Sequence, residues 1–378
     1  MKKILLALTL TTTATLFANS DNISIEEKNP IIKAYEDNLH MYGDVRIRYQ
    51  ERHQTYQSGS KEGEEKNTHQ ERYRIRLGLS YDITDNFIFE AQTSSGRGNP
   101  TSGNVKFTNG LNIDQFKVDV LDLVYKFDNS WVRAGKSKHK FYRPMKTQLI
   151  WDNDIRPEGL SYGYKDGDMA TAGIWKVHRD EYKENPLSDD IYIFAAQYIH
   201  QIKDEDRTYN IGGGVHHYEG VKGNTTPYKK HFLGNSKNAD KTYANNYSIL
   251  ELTGEAQFKD IFGKPFKVAS VLAYNVAVSD DNFAADFSMQ WGDTKNNLDW
   301  KLGYTYRYVE KDAVFAAHND SDFIGGGTDG KGHIFTGKIK FNPNLYGAFH
   351  YQISETRMSD IEDARDYKRL MVDMILKF

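Results

Sequence analysis

Seven short polar turns divide this sequence into pairs of segments whose apolar residues alternate with polar ones. The turns are 82–86, 128–130, 165–168, 203–206, 259–264, 294–297 and 342–344. Alternation with a period of two is typical of a β-strand that is wet on one face. Eight longer polar loops alternate with these turns, which predicts about 16 strands, with 14–18 allowed by the spacing. The predicted fold is all-β: a transmembrane antiparallel up-and-down barrel over residues 39–378.

The first two predicted strands show which side chains face inward. In 39–52 the apolar alternate positions face lipid, whereas Arg46 and Arg48 face the lumen. In 69–83 the residues Arg72, Arg74 and Arg76 face the lumen in the same way. A charged side chain that faced hydrocarbon would cost a few kcal/mol near the bilayer midplane, so the opposite assignment is unfavourable.

Both ends of the chain carry segments that suit export and membrane insertion. Residues 1–18 begin with a basic segment and an apolar run, which predicts a cleaved signal peptide. Residues 19–38 are predicted to be a periplasmic lead-in to the barrel. The last segment places apolar residues on one face and ends at Phe378. A terminal Phe in that position resembles the signal that outer-membrane barrels present to the barrel assembly machinery.

A basic wall opposed by acids is predicted inside the barrel. Arg133 is expected to join the five arginines of the first two strands. The acidic side chains expected to line the lumen are Glu90, Asp119, Asp122, Asp152, Asp154 and Glu158. Such an arrangement creates a transverse field that orients dipolar solutes. The alternative is that these charges pair with one another and keep the wall rigid. Both interpretations can be true at once.

Motifs that suggest an enzyme or a metal site have simpler explanations. Residues 159–163 spell G-x-S-x-G, but the predicted strand continues without the helix that a nucleophile elbow needs. Residues 325–331 resemble a phosphate-binding loop, yet Gly332 replaces the required Ser or Thr. His216 and His217 point to opposite faces of a strand. Asp320, Asp322 and Asp329 are expected in an exposed acidic loop, so no metal, cofactor or enzymatic activity is predicted.

Net charge and composition narrow the partners. The formal charge is −3, which gives no general attraction to nucleic acid, and aromatic residues make up 13% of the chain. Aromatic residues are abundant in the girdles that transmembrane barrels place at the two membrane interfaces. The expected surroundings are therefore outer-membrane lipid on the outside and water with small solutes on the inside.

Four stretches resemble a known family: residues 322–333, 342–346, 366–373 and 133–136. They are similar to the putative porin family of Gram-negative outer membranes, which is related in style to Opr-type porins. The resemblance implies passive diffusion of ions and small hydrophilic solutes, and a homotrimer. Other functions remain open: a substrate-selective channel that guides anions or carboxylates along the arginines, a surface adhesin, or a barrel enzyme.

The third long loop, 141–155, has more apolar bulk than a solvated loop needs. In 16-stranded porins the third loop folds into the lumen and narrows it, so the resemblance implies the same here. Arg143, Lys146 and Trp151 are the expected constriction residues of this loop. An ordinary surface loop is the alternative.

Overall fold

The computed structural model describes residues 37–96, 98–107, 115–177, 190–227, 231–360 and 363–378. Residues Met41–Phe378 form one compact unit. The predicted signal peptide 1–18 and nearly all of the predicted lead-in 19–38 lie outside the described residues, so both stay predictions. No helix in the described part of the chain is long and apolar enough to cross a membrane.

The described residues form a sheet of seventeen strands, and one of them, β4, has only two residues. The strands are β1 Leu39–Tyr56, β2 Glu65–Asp82, β3 Phe87–Ser95, β4 Val105–Lys106, β5 Phe116–Phe127, β6 Ser130–Lys136, β7 Glu158–Asp166, β8 Asp168–Val177, β9 Ile191–Lys203, β10 Arg207–Glu219, β11 Tyr247–Ile261, β12 Lys264–Asn275, β13 Phe283–Gly292, β14 Trp300–Val309, β15 Gly330–Lys340, β16 Leu345–Thr356 and β17 Arg365–Lys377.

The sixteen long strands form a closed antiparallel barrel. Each pairs with its neighbours along the chain, and β1 pairs with both β2 and β17. At this seam Val45 lies opposite Leu376. Beyond it the backbone N–H of Gly43 donates to the carbonyl of Phe378 at 2.9 Å. All seven predicted turns join the expected strands, and the predicted strand number and fold class are confirmed.

Burial alternates along the strands as the sequence predicts. In β1, Met41 and Ile47 are 77% and 55% exposed, whereas Asp44 and Arg48 are 9% and 4% exposed. The exposed series is apolar and forms the outer surface, and the buried series faces the lumen. Charged side chains are thereby kept away from the lipid, where they would be costly.

The lumen is partly filled by three loops from the long-loop end of the barrel. These are the third loop (137–157), the fifth loop (220–246, described except for 228–230) and the seventh loop (310–329). Leu149 and Trp151 of the third loop are 1% exposed and pack among inward-facing side chains such as Ile193 and Val271. The third loop therefore folds into the lumen, and the alternative of a surface loop is wrong.

The seventh loop is also buried, which the sequence analysis missed. Its run Ala313-Val314-Phe315-Ala316-Ala317 is at most 2% exposed. Asn235 of the fifth loop donates to the carbonyl of Val314 at 3.0 Å and accepts from the N–H of Ala316 at 2.8 Å. Five consecutive apolar residues in a loop were the signal that could have indicated this burial, because a solvated loop does not need them.

Candidate functional site

Five arginines on two paired strands lie on the inward side of the wall. Arg46 and Arg48 lie on β1, and Arg72, Arg74 and Arg76 lie on β2. Alternate positions on a strand are about 7 Å apart, so the three side chains of β2 form a row. Since β1 and β2 are neighbours in the sheet, the two rows lie side by side.

Arg74 and Arg76 hold the third loop against the wall. Their guanidinium groups donate to opposite oxygens of Asp44, at 2.8 and 2.7 Å. Asp154 of the third loop places Oδ1 3.4 Å from Arg76 Nη1 and 3.6 Å from Arg74 Nη1. Two positive charges thus share two carboxylates, and the row of arginines is largely neutralised at this point.

Arg48 and Arg369 hold the seventh loop in a similar way. Arg48 binds both oxygens of Asp373, at 2.7 and 2.9 Å, and its Nη1 lies 3.4 Å from Asp322 Oδ2. Arg369 Nη2 donates to Asp322 Oδ1 at 2.9 Å, and Nη1 donates to the Asp322 carbonyl at 2.7 Å. Burial opposes ionisation of Asp322, but the guanidinium groups of Arg369 and Arg48 outweigh it and hold the pKa of this carboxyl well below its usual range.

The second long loop contacts the two remaining arginines of this wall. Arg46 Nη2 donates to the side-chain oxygen of Asn104 at 2.6 Å, and Arg72 Nη2 donates to the Asn104 carbonyl at 3.1 Å. Arg46 also lies 3.8 Å from Asp373, whereas Arg72 makes no ion pair among the described residues. Arg72 is therefore the member of the row with the least compensated charge.

Arg133 joins a separate acidic cluster on β3, β5 and β6. Its Nη1 lies 2.5 Å from Asp122 and 3.0 Å from Glu90. Asp119 lies beside this cluster because the β3–β5 register shifts by one residue there. The carboxylate of Asp119 pairs with Arg156 of the third loop at 3.3 Å. These contacts link the third loop to a second side of the wall.

Glu158 does not belong with the predicted interior acids. On β7 it has the same parity as Leu160 and Tyr162, which are 55% and 40% exposed on the outer surface. Its carboxylate lies 2.7 Å from the ammonium group of Lys136, directly opposite on β6. The prediction for Glu158 is wrong. Asp152 and Asp154 point inward from the third loop, but β7 begins at Glu158 with a position that faces outward.

Two of the three predicted constriction residues brace the third loop internally. Arg143 donates to the carbonyls of Thr147 and Trp151, at 3.1 and 2.9 Å. The indole N–H of Trp151 donates to His216 Nδ1 at 3.1 Å, which fixes the loop to the wall at β10. Lys146 is instead exposed at the tip of the loop, in a single turn of 3₁₀ helix.

Asp152 is enclosed between the third and seventh loops. It is 2% exposed and accepts hydrogen bonds from the backbone N–H of Asp154 at 2.7 Å and of Ser321 at 2.9 Å. Burial, and then the charges of Asp154 and Asp320, raise the pKa of Asp152 well above its usual range. Burial also lowers the pKa of nearby His318 to about 3. Burial at the interface between these loops therefore disfavours the charged forms of Asp152 and His318.

The structure shows where the motifs that suggested an enzyme or a metal site lie. Ser161 lies in β7, which leads through Gly167 into β8, so no helix follows it. His216 is fully buried, whereas His217 points outward and contacts Ser248. The described residues contain no group of three acidic, His or Cys side chains that could hold a metal ion.

Asp320, Asp322 and Asp329 do not form an exposed acidic loop, so that prediction is wrong. Asp320 and Asp329 are 5% and 3% exposed. Asp320 pairs with Arg307 at 2.6 Å, and Asp329 accepts from Ser359 at 2.9 Å. The side-chain partners Arg307, Arg369 and Ser359 lie 13, 47 and 30 positions away from these acids, so the spacing of the acids alone could not assign them.

Arg307 and Arg369 are interior residues that the sequence analysis overlooked. Arg307 binds both oxygens of Asp286 at 2.7 Å, besides Asp320. Asp286 also accepts from the hydroxyl of Thr147, which connects β13, the third loop and the seventh loop. Strand alternation could have placed both arginines inside, because each alternates with residues that are exposed on the outer face.

Two water-accessible cavities remain beside these contacts. One of about 170 Å³ is lined by side chains that include Arg76, Asp119, Asp154 and Arg156. The other, of about 230 Å³, is lined by Arg52, Arg72, Asp322 and Arg369 among others. Charged groups of both signs therefore surround the space that the inward loops leave open.

Comparison with known proteins agrees with this architecture. A family model described as putative porin matches residues 51–251 and 264–378. No curated protein matches the sequence. OprB of Pseudomonas putida, solved at high pH, has 9% identity and a TM-score of 0.59, covering 93% of this chain and 96% of that chain. A mutant of Rh. blastica porin has 9% identity and a TM-score of 0.50, covering 90% of this chain and 100% of that chain.

These two structures share the fold at low identity, and the family match extends over most of the chain. A closed barrel with a polar interior, an apolar outer face and loops folded into the lumen is the architecture of a channel in a bacterial outer membrane. The chain belongs to the putative porin family.

Proposed function

We propose that this outer-membrane porin lets ions and small hydrophilic solutes diffuse passively, without a chemical step. The observation that carries the proposal is the distribution of side chains across the wall. Inward positions hold charged and polar groups such as Arg48, Arg74 and Asp122, while outward positions hold apolar groups such as Met41 and Ile47. A polar interior favours water and hydrated solutes over lipid.

The narrowest part of the route is expected beside the third loop. The side chains that we propose to line it are the basic Arg46, Arg72 and Arg76 and the acidic Glu90, Asp119 and Asp154. The two cavities lined by members of this set support the assignment. Arg48, Arg74, Arg133 and Asp122 then stabilise the wall through pairing, and Asp152, Arg143 and Trp151 stabilise the loop.

A channel that guides anions along the arginines is the second candidate function. The close packing of five arginines on β1 and β2 favours it. The ion pairs argue against a strong effect, because Asp44, Asp154, Asp322 and Asp373 neutralise most of the row. We therefore place general diffusion first and expect the arginines to contribute mainly a local transverse field.

The cellular setting follows from the same reasoning. We propose the outer membrane of a Gram-negative bacterium, insertion by the barrel assembly machinery through a signal at Phe378, and a homotrimer. Support comes from the family and from the one-sided exposure of the last strand, in which Val372, Met374 and Leu376 are 43–48% exposed.

Recording from planar bilayers tests the proposed function. Purified protein is expected to form discrete, water-filled pores whose conductance rises in proportion to salt concentration. Sugar-induced swelling of proteoliposomes should fall as the sugar becomes larger, since passive diffusion is limited by size. Protein that is folded by gel mobility but gives neither conductance nor swelling would contradict the proposal.

A further inference from the structure

Five lysines gather inside the barrel near its short-turn end and are here named the lysine cluster. They are Lys146, Lys267, Lys301, Lys338 and Lys377. Lys267, Lys301, Lys338 and Lys377 lie on β12, β14, β15 and β17, at positions whose parity matches the inward side of each strand. Lys146 approaches them from the tip of the third loop. Lys146 and Lys377 repel each other and Lys338, and Lys301 is repelled by Lys146 and Lys267.

The lysine cluster differs from the arginine rows in having no acidic partners. Among the described residues, no carboxylate oxygen lies within 4.0 Å of any of its five ammonium groups. Asp293 acts on Lys301 from the β13–β14 turn, but it is shared with Lys295 at 3.5 Å. The arginines are neutralised within the protein, whereas the charge of the lysine cluster remains available to a solute.

The strand register makes this arrangement unfavourable for the protein alone. Lys301 lies directly opposite Lys338 in the β14–β15 pair. Like charges directly opposite on neighbouring strands destabilise a sheet. Lys301 is held by Gln290 at 2.8 Å, and the ammonium groups of Lys338 and Lys377 lie 4.3 and 5.3 Å from the centre of the Tyr346 ring. These neutral contacts position the charges without compensating them.

The third loop brings Lys146 towards Lys301, Lys338 and Lys377 at some conformational cost. Met145 and Lys146 have φ angles of 46° and 66°, in the left-handed region that residues other than glycine rarely adopt. The backbone N–H of Met145 donates to Glu255 of β11 at 3.2 Å, which anchors the tip to the wall. Partial desolvation inside the barrel, followed by the charges of Lys377 and Arg143, lowers the pKa of Lys146 although this residue is exposed.

We propose that the lysine cluster is a transient binding site for a small oxyanion with two negative charges, either a dicarboxylate or inorganic phosphate. The proposal rests on the proposed diffusion function and identifies a preferred solute class for it. A dianion can bridge the opposed Lys301 and Lys338 and relieve their repulsion. Ammonium groups are compact charges with three donors each, which suits oxyanions of either kind. The lysines, more than the arginines, then determine the preference for anions.

Single-channel current in potassium chloride, with succinate or phosphate added, tests this site. Each dianion that binds should reduce the current through the wild-type pore. The double variant Lys301→Gln/Lys338→Gln should raise the half-blocking concentration by roughly tenfold, as expected for a lost interaction of about 1.4 kcal/mol. Block by succinate alone identifies a dicarboxylate site, and block by phosphate alone identifies a phosphate site.

Two further variants make the result interpretable. Lys331→Gln on β15 removes the same charge from a partly exposed residue that pairs with Glu355 at 3.1 Å, so it should leave the block unchanged. Lys146→Gln changes only the loop tip and should weaken the block without altering the barrel's gel mobility. If pores form but neither dianion blocks them, or if the double variant is blocked like the wild type, the inference is wrong. Absence of any pore would instead refute the proposed function.

Discussion

At the scale of single residues, one carboxylate of the seventh loop compensates two buried cations. Asp322 binds Arg369 at 2.9 Å and lies 3.4 Å from Arg48. The side chains of Arg369 and Arg48 are only 4% and 5% exposed. Arg48 keeps Asp373 as a second acid, whereas among the described residues Asp322 is the one acid within 4.0 Å of Arg369. Removing one partner of a buried ion pair leaves the other charge uncompensated, which costs more than the pair contributes.

Replacing Asp322 with asparagine is therefore expected to destabilise the folded barrel. We expect a loss on the order of 3 kcal/mol in the free energy of unfolding, measured by denaturant titration of the purified protein. Asp280→Asn is the matched control, since Asp280 is exposed and accepts a hydrogen bond from the neighbouring Ser279 at 2.8 Å. Equal stability of the two variants would show that Arg48 and Arg369 do not depend on Asp322.

The ion pairs of Asp322 with Arg369 and Arg48 predict how the stability difference between the wild type and Asp322→Asn varies with pH. The pKa of Asp322 is depressed below its ordinary value of 3.8 because Arg369 and Arg48 outweigh burial. A depressed acid contributes its full stability above the unfolded pKa and loses it as the pH falls towards the folded pKa. The stability difference between wild type and Asp322→Asn should stay constant from about pH 7 to 5 and shrink below about pH 4. A difference that grows on acidification would contradict this assignment.

At the scale of elements, the inward and outward positions of the strands could be predicted from the sequence, but the contacts that loops make with strands could not. The two-residue period placed Arg74 and Arg76 inside, because the opposite face would put guanidinium groups in lipid. The same period failed at Glu158, where a loop separates two strands and the alternation restarts. The contact of Asp154 with β2 joins residues almost 80 positions apart. Such pairing depends on the path of the third loop, which local sequence does not specify.

Trp151 is expected to control how firmly the third loop is held. It is 1% exposed, its N–H donates to His216, and its ring lies 6.1 Å from that of Trp175. Trp151→Ala should cost about 3–5 kcal/mol of stability and increase the noise of the open-channel current, because the loop loses its anchor. Trp291→Ala, on the outer face, should change neither conductance nor current noise. A quiet, unchanged current in Trp151→Ala would mean that other contacts suffice.

At the scale of the whole molecule, the barrel interior combines buried apolar packing with charged segments of the wall. The third and seventh loops contribute apolar side chains such as Leu149 and Phe315 to the buried packing. The arginine rows and the lysine cluster form the charged segments, and two cavities reach Arg72 and Arg76. Strand alternation in the sequence indicated the charged part of the interior. The apolar part depends on contacts between loops, which strand alternation does not predict. A channel narrowed from one side can keep strong fields across its open side.

Phe378 lies at the seam that closes the barrel, and we propose that it is also the assembly signal. Its backbone exchanges hydrogen bonds with Gly43 at 2.9 and 3.2 Å, while its side chain is 53% exposed. Phe378→Ala keeps the backbone bonds and removes only the ring. If the ring is recognised by the assembly machinery, this variant should lower the folded yield in the outer membrane severalfold.

The same variant should refold in detergent with nearly wild-type thermal stability, because a half-exposed ring contributes little burial. Phe349→Ala, which removes another outward aromatic ring that is 41% exposed, serves as the control and should assemble normally in cells. Deleting Phe378 removes the ring and the seam bonds together, so it should reduce both assembly and stability. Normal outer-membrane yield of Phe378→Ala would show that the residue serves only the seam.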